Sequence, residues 1–162
     1  MVSAIGWVRP VMHVPSGPAP ANDDYANAQV ISGTSGSVTG TNVGATLEPG
    51  EPGIQDAEGG ASVWYEWTVP VTGSYQFDTC TAYPDLPANI GFFVGGTVSS
   101  AVEFGAGPSQ GLCPAGEAGA TIITGTWSAG LTLRIKVDGL NENGNGTPAY
   151  GGVFTLEWAE QS

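Results

Sequence analysis

The sequence predicts an all-β fold: an antiparallel β-sandwich of jelly-roll type, with eight or nine strands and one short N-terminal helical turn. Three observations predict it. Twenty-six glycines and twelve prolines in 162 residues punctuate the chain too often for long helices. Apolar residues alternate with polar ones wherever they cluster, as expected of strands with one buried and one solvated face. Turn signals such as Val71-Thr72-Gly73 and Ser128-Ala129-Gly130 separate these runs, and no helical pattern lies between them. A closed barrel is the alternative arrangement. The length suits one domain with one sizeable core.

Residues 1–21 read as an extended, proline-rich arm. Trp7, Val8, Val11, Met12 and Val14 are scattered among Pro10, Pro15, Pro18 and Pro20. That spacing blocks a helix and favours extended or polyproline geometry. Apolar residues on such a segment have no core of their own, so they are expected to lie on the domain or on a neighbouring subunit. A disordered leader is the competing reading. With no basic n-region and no unbroken apolar h-region, the arm does not read as a signal peptide.

Residues 22–162 form the single sandwich domain. Asn22 or Asp23 is expected to cap a helical turn from Asp24 to Ala28. The strand candidates that follow are Gln29–Ser32, Ser37–Val43, Val63–Val69, Tyr75–Phe77, Ile90–Val94, Ala101–Phe104, Thr121–Thr126, Leu131–Val137 and Phe154–Trp158. In the third, Val63, Tyr65, Trp67 and Val69 alternate with Trp64, Glu66 and Thr68. In the eighth, Leu131, Leu133, Ile135 and Val137 alternate with Thr132, Arg134, Lys136 and Asp138. Each is therefore expected to have one wet face, and Trp64 becomes the aromatic to watch for surface binding or for covering by the arm.

Of the two cysteines, Cys113 lies within the second of two long loops, Thr46 to Gly60 and Gly105 to Gly119, and Cys80 lies upstream of it as the residue that would pin it. A disulfide is the better reading, closing about 34 residues for roughly 3–4 kcal/mol in the chain-entropy model. Two separate buried thiols are the alternative. A disulfide implies an oxidising final environment.

Three basic residues against fifteen acidic ones give a net charge of -12. Such a surface repels phosphate backbones and anionic lipid, which disfavours nucleic acid and membrane partners. No apolar run approaches the roughly 20 residues of a membrane helix. Catalysis by a serine or cysteine nucleophile lacks its base, because the only histidine, His13, sits in the arm. Glycoside hydrolysis needs only two carboxylates, and Glu66, Asp78 and Glu157 lie on wet strand faces; exposed acids on a sheet are ordinary, however. No cofactor is required. Calcium is the more credible chemistry, with Asp23 and Asp24 beside a turn and Asp138 at a strand end as candidate ligands. Asn141 to Gly146 resembles a calcium loop but reads better as an Asn-Gly hairpin turn, since position twelve is Gly152 in place of the bidentate Glu.

Several of these segments together resemble the bacterial pre-peptidase C-terminal-like domains. They are Asn22-Asp23-Asp24-Tyr25-Ala26-Asn27-Ala28, Gly36-Ser37-Val38-Thr39-Gly40-Thr41-Asn42 and Glu48-Pro49-Gly50-Glu51-Pro52. Ser62-Val63-Trp64-Tyr65-Glu66-Trp67 and Arg134-Ile135-Lys136-Val137-Asp138-Gly139 complete the set. The resemblance covers about residues 22 to 160 and implies a jelly-roll-like sandwich. Such domains occur as non-catalytic appendages on secreted proteases and in minor structural proteins of actinobacterial phages. The expectation is a non-enzymatic phage virion component, a capsid decoration or tail-associated subunit within a larger assembly. Trp7, Val8, Val11 and Met12 would anchor it to other virion proteins, a host-surface glycan is a further candidate partner, and lysis would release it. The alternative is a secreted or cell-surface accessory module that binds carbohydrate or protein.

Overall fold

The computed structural model describes residues 17–54, 60–80, 88–106, 113, 121–139 and 151–162. Nine strands run through them: β1 (Gln29–Ile31), β2 (Ser35–Thr41), β3 (Ser62–Thr68), β4 (Ser74–Asp78), β5 (Ala88–Val94), β6 (Val102–Ala106), β7 (Thr121–Ile123), β8 (Thr132–Gly139) and β9 (Val153–Gln161). They form a five-stranded sheet in the order β1-β3-β8-β5-β6 and a four-stranded sheet in the order β2-β9-β4-β7. The all-β sandwich is therefore present, with single-turn 3-10 helices at Tyr25–Asn27 and Val98–Ser100.

One pairing departs from the antiparallel expectation. β1 runs parallel to β3, with Gln29 opposite Tyr65 and Ile31 opposite Trp67. After β1 the chain crosses to the other sheet as β2, then returns over residues 42–61 to β3. A parallel pair needs a long crossover of this kind.

The core forms where period-two faces meet. Tyr65 and Trp67 of β3, Phe92 of β5 and Leu133, Ile135 and Val137 of β8 face Tyr75, Phe77, Phe154, Leu156 and Trp158 of the other sheet. The Trp67 ring packs edge-on against Tyr75 and Phe77, with centroids 4.8 and 5.2 Å apart. Buried indole N–H groups need acceptors. Those of Trp67 and Trp158 both donate to the Gly33 carbonyl, each at 3.1 Å. Gly33 sits in the turn between β1 and β2 at φ +98, a conformation that glycine adopts without a Cβ penalty.

A second apolar cluster lies on the opposite face of the five-stranded sheet. Tyr25, Ile54, Trp64 and Phe93 are buried there together. This corrects the expectation that β3 and β8 each keep a wet face. The 3-10 turn at Tyr25 and the strap of residues 48–54 lie over that face, so Trp64, Lys136 and Asp138 are withdrawn from solvent. Gly91 makes room for the strap: a Cβ there would stand 2.9 Å from Ile54 and 2.9 Å from the Phe93 ring.

Cys80, just after β4, is bonded to Cys113, with Cα atoms 5.4 Å apart. The expected disulfide is present.

Candidate functional site

The covered face of the five-stranded sheet is ordered in rows set by strand register. Ser62, Asp138 and Asn89 stand side by side across β3, β8 and β5; Trp64, Lys136 and Gly91 form the next row, and Glu66, Arg134 and Phe93 the third. Alternation puts all nine on the side facing away from the main core. The strap then adds Glu51, whose Oε1 lies 2.8 Å from Lys136 Nζ. Asp138 Oδ2 lies 3.2 Å from the same ammonium, and Pro52 O accepts a hydrogen bond from it at 2.9 Å. The Trp64 ring lies below, with its centroid 5.8 Å from Nζ.

The carboxylates are satisfied from several directions. Ser62 Oγ donates to Glu51 Oε1, and the Glu48 amide donates to Glu51 Oε2 at 2.9 Å. Asp138 Oδ1 accepts the Gly60 and Ala61 amides, each at 3.2 Å. Burying charges is tolerable only with such pairing and hydrogen bonding. The group therefore fastens the strap and the start of β3 to β8.

At the rim of this face, Arg134 pairs with Glu66 at 2.7 Å, and its guanidinium lies 5.1 Å from the centre of the Tyr25 ring. The Tyr25 hydroxyl donates to Gly95 O at 2.7 Å. Burial raises the Tyr25 pKa, against the opposing pull of Arg134. Burial also pushes the Tyr65 hydroxyl up to about 12.

The aspartates expected to share calcium are employed separately. Asp23 accepts the Thr46 amide at 2.7 Å and the Thr46 hydroxyl at 2.8 Å, holding the chain after β2 against the N-terminal segment. Asp24 is exposed and accepts from Asn27 at 3.2 Å. Asp138 belongs to the buried ion group. Among the described residues no three histidine, cysteine, aspartate or glutamate side chains gather in a way that could hold a metal ion.

The structure corrects the predicted cap. The residue preceding the turn is Asp24, and its side chain makes no capping hydrogen bond. Asn22 instead clamps the backbone of Trp64: the Trp64 amide donates to Asn22 O at 2.9 Å, and Asn22 Nδ2 donates to Trp64 O at 3.0 Å. Tertiary partners outcompete the local cap, and the turn is a single 3-10 turn as a result.

Of the carboxylates that could serve glycoside hydrolysis, only two come together. Glu66 is on the five-stranded sheet, paired with Arg134. Asp78 and Glu157 are cross-strand neighbours on β4 and β9, on the outward face of the other sheet. They line a shallow groove of about 460 Å³ with Ser35, Ser37, Gln76 and Gln161. Gln76 Nε2 donates to Asp78 at 3.1 Å. Like charges placed opposite one another are mildly destabilising, so the pairing of these two carboxylates does not itself hold β4 to β9.

Apolar side chains are exposed at three sheet edges: Val30 on β1, Val102 and Phe104 on β6, and Ile123 on β7. Trp7, Val8, Val11, Met12 and His13 lie outside the described residues, as does Asn141 to Gly146. No described helix is long and apolar enough to cross a membrane.

Sequence reasoning missed the ion group, although a signal for it was present. Only three basic residues occur in the chain, and Lys136 is flanked directly by the apolar Ile135 and Val137.

No protein-family model matches the chain, and no curated protein matches it. Among solved structures it is similar to the crystal structure of Salmonella Typhimurium PliG, a periplasmic lysozyme inhibitor of g-type lysozyme. The identity is 11% and the TM-score 0.38, over 83% of this chain and 99% of that one.

Proposed function

We propose that this protein is a non-enzymatic structural and binding module of the pre-peptidase C-terminal-like type. In this reading it is a phage virion component, a capsid decoration or tail-associated subunit. It is held to other virion proteins through residues 1–21, with Trp7, Val8, Val11 and Met12 as the contacts. The observation that carries the reading is the employment of the acidic side chains. Glu51, Glu66 and Asp138 are ion-paired, and Asp23 pins a loop. Of the carboxylates weighed for glycoside hydrolysis, Glu66 is taken up in this way, whereas Asp78 and Glu157 line the outer groove. Exposed apolar groups at the sheet edges and the Cys80–Cys113 bond support a partner-bound protein that works outside reducing compartments. The excess of acid over base supports protein or glycan partners over nucleic acid or anionic membrane.

The test is incorporation into particles. Deleting residues 1–20 is expected to leave the β-sheet circular dichroism and cooperative melting intact while abolishing co-sedimentation with virions. Unchanged incorporation would overturn the anchoring role.

A second reading is favoured by the groove at Asp78 and Glu157. Its serines, glutamines and carboxylates offer donors and acceptors for sugar hydroxyls, as a secreted or cell-surface accessory module would need. Binding to host-surface glycans that is lost on Gln76→Ala and Glu157→Ala would favour this reading. Capsid and tail genes beside the coding sequence would favour the first.

A further inference from the structure

A charge imbalance and an orphaned oxygen lie side by side on the covered face of the five-stranded sheet. Glu51 and Asp138 bring two carboxylates to the single ammonium of Lys136, and all three side chains are removed from solvent. The group therefore carries one net negative charge where electrostatic interactions are strong. Asn89 stands next to Asp138 in the β5–β8 register. Its neighbours Ala88 and Ile90 point into the main core, so Asn89 faces the covered side with Asp138. It is 6% exposed, and its Oδ1 has no hydrogen-bond partner among the described residues. A buried acceptor left in this way keeps the full penalty of its lost hydration.

The carboxylate excess calls for positive charge, and the orphaned oxygen beside it can be satisfied by the same cation. Cβ atoms of directly opposed residues are about 4.5–5.5 Å apart, so the Asn89 amide and the Asp138 carboxylate can reach a common point. The carboxylate has room for a further contact. Among the described residues its partners are two amides and one ammonium, against about four lone-pair sites.

We propose that a small alkali cation, sodium or potassium, binds between Asn89 Oδ1 and the Asp138 carboxylate, beside the Lys136 ammonium. The donors are all hard oxygens, which selects against soft metals. One positive charge brings Glu51, Asp138 and Lys136 to neutrality, whereas a divalent ion would leave excess positive charge next to a buried ammonium. The seat shares only Asp138 with the calcium site expected from sequence. It does not depend on the virion or glycan reading.

The test is thermal unfolding of the full chain at fixed ionic strength in sodium, potassium or tetramethylammonium chloride, with a further arm in millimolar calcium chloride. Binding to the folded state alone should lower the unfolding constant about a hundredfold when the ion is at a hundred times its Kd. Sodium or potassium should therefore raise the midpoint saturably over tetramethylammonium, and the two salts compared directly identify the preferred ion. Asn89→Ala should erase the difference between salts. Asn89→Asp, which adds a carboxylate, should enlarge it and provides the comparison if the alanine variant does not fold. Equal midpoints in all three monovalent salts, or an ion effect that survives Asn89→Ala or is unchanged in Asn89→Asp, would overturn the site. A calcium response exceeding both alkali ions would overturn its monovalent assignment.

Discussion

Lys136 Nζ lies 2.8 Å from Glu51 Oε1, with both side chains fully removed from solvent. The two residues are far apart in sequence, and their contact fastens the strap that seals Trp64 beneath it. Cutting one member of such a pair leaves an uncompensated buried charge, which typically costs about 3–5 kcal/mol. Lys136→Met is expected to lose that much in urea denaturation. Glu66→Gln, at the more exposed pair with Arg134, should lose about 1 kcal/mol or less. Equal losses at the two positions would contradict the burial contrast.

Trp64→Ala should destabilise the protein by about 3–5 kcal/mol, as expected for a large buried aromatic replaced by a small residue. In the folded wild type, acrylamide should not reach Trp64. A Trp64→Ala variant with unchanged stability would place the side chain on the surface.

Breaking the Cys80–Cys113 bond by Cys80→Ser with Cys113→Ser should cost roughly 3–4 kcal/mol, on the chain-entropy account of the loop that it closes. Calorimetry of the oxidised and double-serine proteins provides the measurement. The serine protein should keep its β-sheet spectrum, because the two sheets pack through a core that includes Trp67, Phe77 and Phe92 and does not include the cysteines.

Tyr65 links stability to alkaline pH. Its folded pKa is about 12 against 10.0 when free, because burial penalises the phenolate. Above pH 10 the unfolded chain releases this proton and the folded one does not. Stability is thus fully present below about pH 10 and falls toward pH 12, at up to roughly 1.4 kcal/mol per pH unit. Absorbance titration at alkaline pH should show this phenolate forming only as the protein unfolds, and Tyr65→Phe should flatten that part of the stability profile.

The strands were legible because their pattern is local. Val63, Tyr65 and Trp67 alternate with their neighbours, and the structure places each of them in the main core. The two cysteines were legible as a pair because nothing else in the sequence offered a sulfur partner. The face of Trp64 was misread for an identifiable reason. Alternation says that Trp64 points away from Tyr65, but not whether the other side is water or a second layer of chain. Asp138 shows the same limit: an aspartate at a strand end is equally a metal ligand or an ion-pair acceptor until its neighbours are known.

The sequence by itself determined that the protein is an all-β sandwich, where its strands run and which side of each faces the main core. Period and turn chemistry are properties of short segments, so they survive without knowledge of the fold. Only the tertiary structure decided that β1 joins the sheet parallel to β3. It also showed that residues 48–54 close over the second face, and that Glu51, Lys136, Asp138 and Asn89 meet there. Those relations depend on residues up to about ninety positions apart in the chain, and burial sets their chemistry more than residue type does.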